Sequence, residues 1–246
     1  MRVLLIACCF ASAVGQARQD PCAAMESNLQ AQVADLAVVA DDLGSIRMIG
    51  DRALAGVREC PDSALLWYLA VRSAEILGTR FGSQTFAAPG GLHQVVEEAL
   101  AHAPNSAPIV TVAARVEGST AMARQALALD SNYQPARRAL AEAVARDGDI
   151  EAGLDLAIAS NARGPMHLTR ARILLAAKRY SEASREAKRV LPSAPDELSA
   201  SADLYRDSNE VLGLALLGLH QRAEAKRALR AAASAGSAAA RAQLAQ

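Results

Sequence analysis

Residues 177–196, AKRYSEASREAKRVLPSAPD, decide how the chain folds. Tyr180, Ala183, Ala187 and Val190 recur at steps of three and four, and Pro195 follows, so the stretch predicts a short helix with one buried face. The residues on that face are mostly small, which suits a helix held close to a neighbour. The fold therefore turns on which neighbour that is, and on whether the pair belongs to one compact core or to an array.

Composition points to helices throughout. The 246 residues are 52% hydrophobic but only 3% aromatic, and the apolar content is largely Ala and Leu, the leaders of the intrinsic helix scale. Net charge is zero, so no global field favours nucleic acid or a membrane surface. Arg outnumbers Lys 23 to 3. Such a bias follows from base composition as readily as from chemistry, so no single Arg reads as a phosphate ligand on residue type alone.

The first residues, MRVLLIACCFASAVGQARQD, have one early cation, Arg2, then an apolar run from Val3 to Val14, then small and polar residues. This layout predicts a secretory signal over 1–15, cleaved after Ala13 or Gly15, because the run is too short to span a bilayer. A second reading takes Leu5, Ile6, Ala7 and Cys8 as a lipobox, which would anchor an assembly factor of the bacterial envelope through Cys8. No later run is long and apolar enough to cross a membrane, so the mature chain is expected to be periplasmic or secreted, without a transmembrane span.

Further along, 26–44 and 45–62 read as two helices broken at Gly44 and Ser45, with Ser45 as an N-cap, and the next helix stops at Gly78. TRFGSQTFAAPGG, 79–91, has no helical period and reads as an irregular loop. Helices are expected again at 92–103, 107–117, 119–129, 134–146, 149–161, 165–178, 180–191, 196–218 and 220–234, with no period-two stretch long enough for a sheet. The organisation is thus a leader (1–15), N-terminal helical hairpins (16–78), a loop (79–91) and a helical array (92–246).

Three stretches show the array. In 163–196, Ala171 and Leu174 sit on a first helix, Ala183, Ala187 and Val190 line a second, and Pro195 closes it. In 206–236, Leu212, Gly213 and Leu216 take the first-helix places and Ala225, Leu229 and Ala232 the second. In 134–161, Leu140, Ala141 and Val144 precede a Gly148–Asp149 turn, then come Gly153 and Ala157. These units resemble the tetratricopeptide repeat, a helix-turn-helix of about 34 residues with small residues where its helices cross and a closing proline. Pro61 with Trp67, and Pro104, extend the likeness toward the N-terminus, while the unit at Gln134 is about four residues short, DELSASADLY is an insertion, and Ser131 stands where proline is expected. The resemblance implies an all-α, right-handed superhelical solenoid, in which 180–191 pairs with 165–178.

It also implies a function. First helices of such a solenoid line a concave groove, and the groove positions carried over are Tyr68 and Arg72; Arg138, Glu142 and Arg146; Leu168, Arg172 and Leu175; Glu210, Leu214 and Leu217. Arg beside Leu and Tyr suits an extended or helical peptide of a protein partner, with apolar anchors and charge setting register. Residues 163–189 carry eight Arg and Lys against two acids, and Arg222, Lys226 and Arg230 form a ladder on one face. The resemblance makes 180–191 and 220–234 second helices, so their cations are expected on the solvated convex side, with an acidic partner's landing site as the alternative.

No nucleotide-binding, metalloprotease, calcium-loop or serine-hydrolase motif occurs, and no cofactor or metal is expected. His93 and His102 lie half a turn out of phase on one helix and cannot close on one metal, while His167 and His220 read as isolated helix-end residues. An enzyme would have to use the 79–91 loop with His93. Finally, loss of the leader removes Cys8 and Cys9 and leaves Cys22 and Cys60 in an oxidising compartment. Cys22 opens the first helix and Cys60 ends the second, and these points adjoin in an antiparallel hairpin. An intramolecular disulfide is expected, provided that 21–25 folds back or the first helix starts late.

Overall fold

The computed structural model describes residues 22–28, 43–81, 90–158, 164–191 and 202–246. The expected leader, Cys8 with its lipobox, and residues 82–89 of the expected loop lie outside them. The described residues form helices and turns, with no strand. They are α1 (22–28), α2 (Leu43–Glu59), α3 (Ala64–Phe81), α4 (Gly91–His102), α5 (Ala107–Glu117), α6 (Thr120–Leu129), α7 (Gln134–Arg146), α8 (Ile150–Leu156), α9 (Gly164–Ala176), α10 (Tyr180–Val190), α11 (Ala202–Gly218), α12 (Arg222–Ser234) and α13 (Ala238–Leu244).

Each helix from α2 to α13 packs on the next, and α10 pairs with α9 as the sequence predicted. The odd-numbered helices also meet one another: α3 touches α5, α5 touches α7, α7 touches α9, and α9 touches α11. No comparable contact joins successive even-numbered helices among the described residues. The result is a repeat-like helical array with an odd-helix row on one side. Its core runs without a break from α3 into α4 and α5, because Leu66, Leu69 and Leu77 of α3 share one cluster with Val95, Ala99 and Ile109.

Two turn types alternate, and each is a local solution for the orphan groups at helix ends. After α2, α4 and α6 the chain makes the same four-residue link, in which Ser63 N–H donates to Cys60 O (3.1 Å), Ser106 N–H to Ala103 O (3.2 Å) and Tyr133 N–H to Asp130 O (3.1 Å). The missing proline at Ser131 therefore leaves the turn intact. Inside the hairpins the last carbonyls are closed by a left-handed residue, at Gly118, Gly148, Lys178 and His220. The following amide reaches back five residues each time: Ser119 to Ala114, Asp149 to Val144, Arg179 to Leu174 and Gln221 to Leu216, at 2.8–3.2 Å. Gly118, Gly148 and Lys178 are equally spaced, which gives the short repeat expected near Gln134 a structural counterpart.

Small residues mark the crossings. A Cβ on Gly153 would stand 2.7 Å from Ala141 O and 2.8 Å from Ala145 Cβ, and one on Gly213 would stand 2.6 Å from Leu229 Cγ. Ala183, Ala187, Ala225 and Ala232 are fully buried, as their positions predicted.

Three sequence expectations need correction. α2 begins at Leu43, so Gly44 and Ser45 lie in its first turn and Ser45 is not its N-cap. α3 does not stop at Gly78 but runs to Phe81, since Gly78 does not adopt the left-handed conformation that ends a helix. α13 was not foreseen; it covers Leu229 and Ala232 of α12 through Ala240 and Leu244.

The Cys22–Cys60 disulfide is present, with Cα atoms 5.8 Å apart. It holds α1 on the array, where Met25 packs against the core, close over Gly56, and Glu26 accepts a bond from Ser63 Oγ (2.5 Å). Closing this loop contributes about 3–4 kcal/mol in the chain-entropy account. Reduction should accelerate amide exchange in α1 and α2 while α7–α12 stay protected; equal loosening throughout would contradict a local tether.

The crossings give a second test. Gly153→Ala should destabilise by about 1–3 kcal/mol despite the better helix propensity of Ala, because the new methyl meets backbone. Lys178→Gly should instead stabilise by about 1 kcal/mol, by relieving a left-handed conformation in a residue with a Cβ. Urea midpoints at constant slope would report both.

Candidate functional site

Helix geometry brings side chains of α3, α5, α7, α9 and α11 to a common cleft of about 300 Å³. Arg72 and Glu75 come from α3, Arg115 from α5, Arg138 and Glu142 from α7, Arg172 with Thr169 from α9, and Asp207 from α11. A second cavity of about 200 Å³ shares Arg172 and Asp207 with the first and continues over Arg206 and Glu210 to Ser237 and the start of α13. Together they make a polar trough along the odd-helix row.

The inner end is held by two half-buried arginines on one buried carboxylate. Glu75 is 6% exposed, and Arg115 forks onto it, Nε donating to Oε1 at 2.6 Å and Nη2 to Oε2 at 2.8 Å. Arg72 Nη1 also donates to Glu75 Oε2. Burial alone would push the Glu75 pKa up. The Arg115 bonds and charge, with help from Arg72, outweigh it and hold the carboxyl below its ordinary value. Next to this cluster stands Tyr133, the residue before α7; burial first, then the nearby Tyr68, pushes its phenol up to about 12. At the other end Arg172 Nη2 donates to Asp207 Oδ2 (2.7 Å), with Glu142 Oε1 3.8 Å from Nη1, and Arg206 Nη2 lies 2.7 Å from Asp207 Oδ1.

The sequence-derived groove is met in part. Arg72, Arg138, Glu142 and Arg172 come together in the cleft, and Tyr68 stands one helical turn before Arg72. Glu210 lines the second cavity and accepts from Ser237 Oγ at 2.6 Å. Leu168 is a correction: at 4% exposed it lies in the core with Ala171, Ala187 and Val211 and presents nothing to a ligand. Leu175 and Leu217 are half-buried against core clusters, and Leu214, also half-buried, is not among the residues lining either cavity. Arg146 is exposed at the end of α7 and lies over Gly118, away from the cleft lining. The expected apolar anchors are thus replaced by charge.

Sequence reasoning missed Glu75, Arg115 and Asp207. The signal was available for the first two: each is a lone charge of its sign deep in an apolar helix, LLWYLAVRSAEIL and APIVTVAARV, and a buried charge needs an opposite partner.

Elsewhere His93 Nδ1 meets Glu117 Oε1 at 2.7 Å on the surface, and His102 stacks on Trp67 with ring centroids 5.2 Å apart. His167 does not stand alone as expected: its Nδ1 is 2.7 Å from Glu186 Oε2, a carboxylate that also serves Arg170 and Arg189. Among the described residues no group of three or more His, Cys, Asp or Glu side chains could hold a metal, and no helix is long and apolar enough to cross a membrane. The chain matches no protein-family model and no curated protein.

Glu75 carries a pH test. A carboxyl whose folded pKa is depressed stabilises the fold above its unfolded pKa, and that contribution is lost as pH falls through the lower, folded value. Glu75→Gln should cost about 3 kcal/mol at neutral pH, because it strands the Arg115 charge. The gap to wild type in urea denaturation should narrow below about pH 4, the ordinary carboxyl range. A pH-independent gap would mean that lost packing, not charge, is responsible.

Proposed function

We propose that this chain is an exported, non-catalytic scaffold of the tetratricopeptide kind, a right-handed solenoid that holds an extended segment of another protein in its concave groove. The observation that carries this reading is the trough built from five successive odd-numbered helices, α3 to α11, each supplying a charged side chain. Several further features support it. The odd-helix row and the two alternating turns have the organisation of stacked helix-turn-helix units, and small residues stand at the hairpin crossings. The disulfide suits an oxidising compartment and agrees with the leader-like first residues.

A trough open along its length and rich in fixed donors and acceptors suits main-chain amides and polar side chains of an extended chain. Arg72, Arg115 and Arg172 are held by carboxylates and so present their remaining N–H groups in set directions. Specificity then comes from charge register rather than from apolar anchoring.

Photo-crosslinker placed at Arg138 or Arg172 in cells should trap one or a few discrete protein partners, and crosslinker at Arg222 on α12 should not. Trapping of no protein from the trough, or equal trapping from Arg222, would overturn this function.

A further inference from the structure

The cleft brings four guanidiniums, those of Arg72, Arg115, Arg138 and Arg172, against three carboxylates, those of Glu75, Glu142 and Asp207. Three of the four cations are committed: Arg72 and Arg115 to Glu75, and Arg172 to Asp207. Arg138 is the exception. It makes no hydrogen bond or ion pair with any described residue, although it is half-buried in the middle of the cleft and Glu142, one turn along α7, attracts it. Burial first, then repulsion from Arg115, and from Arg172 and Arg72, sets its pKa below the ordinary guanidinium value. A guanidinium is always charged in proteins, so the cost appears as a destabilised site rather than as a lost proton.

We infer that Arg138 takes a side-chain carboxylate of the bound segment, so that the protein partner proposed above presents an Asp or Glu at the centre of the trough. Three features favour this ligand. One cation is uncompensated, so one negative charge balances the cleft, whereas Glu142 and Asp207 would repel the second charge of a phosphate. The planar fork of Arg matches a carboxylate in two parallel hydrogen bonds. The second cavity continues from Arg172 and Asp207 toward α13, so a chain seated over Arg138 runs on past it, and the carboxylate belongs to a side chain rather than to a chain end.

The inference rests on the peptide-binding reading, and its test separates the two. Random peptide segments with both ends blocked are selected on the full chain, and the selected peptides, with Glu→Gln and Asp→Asn counterparts, are titrated against wild type, Arg138→Gln and Arg222→Gln. Expected is a shared acidic position whose amide counterpart binds about tenfold or more weakly to wild type and to Arg222→Gln. Arg138→Gln should bind acid and amide alike, and it should melt no lower than wild type, since the change removes an unpaired charge. Selected peptides without a common acid, discrimination that survives Arg138→Gln, a requirement for a free peptide C-terminus, or equally tight binding of succinate alone would each overturn the inference. If trough crosslinking still traps a protein partner in those cases, the scaffold reading stands without it. If no peptide binds and no partner is trapped, both fall.

Discussion

Helices come as close as these only where the side chain at the crossing is no larger than a methyl group, and everything else in the molecule depends on that constraint. At Gly153 and Gly213 the facing atoms already occupy the space that a Cβ would need. Ala, which buries little apolar area per residue, contributes here through density, because a close crossing multiplies weak dispersion contacts. With 3% aromatic residues the chain has few large groups to fill wider gaps, so an array of thin, tightly crossed hairpins is the core this composition can build.

Close crossing also explains why charge collects along one side. The odd-numbered helices touch both their hairpin partners and one another, so most of their surface is apolar and covered, and the face left over is a narrow strip. Residues on that strip from neighbouring helices are forced together. Arg72 and Arg115 solve the crowding by closing on the buried Glu75 carboxylate, whose desolvation cost only good geometry offsets. The cluster fixes the α3–α5 register, and the Asp207 pair does the same for α9 and α11.

The parts of this fold legible in sequence were those with a strong local cause. The α5, α7, α10 and α12 positions followed from three-four periodicity in windows holding both large apolar and charged residues. The Cys22–Cys60 bridge followed from hairpin geometry. What escaped had no such contrast. α13, SAAARAQLAQ with its flanks, is half Ala with one large apolar residue, Leu244, and such a pattern cannot show which Ala faces inward. Gly78 misled because a glycine ends a helix only if the next carbonyls need a left-handed closure. In the trough, Arg138, Glu142 and Arg172 were placed by repeat register, but Leu168 was not, since it is rotated about 40° around α9 from Arg172, four residues on, and at the edge of a narrow strip that takes a side chain from groove to core.

That rotation has a functional side. It puts Leu168 inward and leaves Thr169 and Arg172, on the next strip of α9, facing the cleft. On the proposed reading as a peptide site, an apolar groove would bind any chain with a few large side chains in rough spacing, whereas a row of fixed guanidiniums and carboxylates would reject a segment whose charges fall out of step. Each contact would then add modest affinity while discrimination rose, because a misplaced acid would meet Glu142 or Asp207 and a misplaced base Arg115 or Arg138. The half-buried arginine left unpaired at the centre fits this scheme. A site that selected by charge would keep one charge unsatisfied until the right segment arrived, and close-packed hairpins around it would oppose the rearrangement that could pair that charge internally.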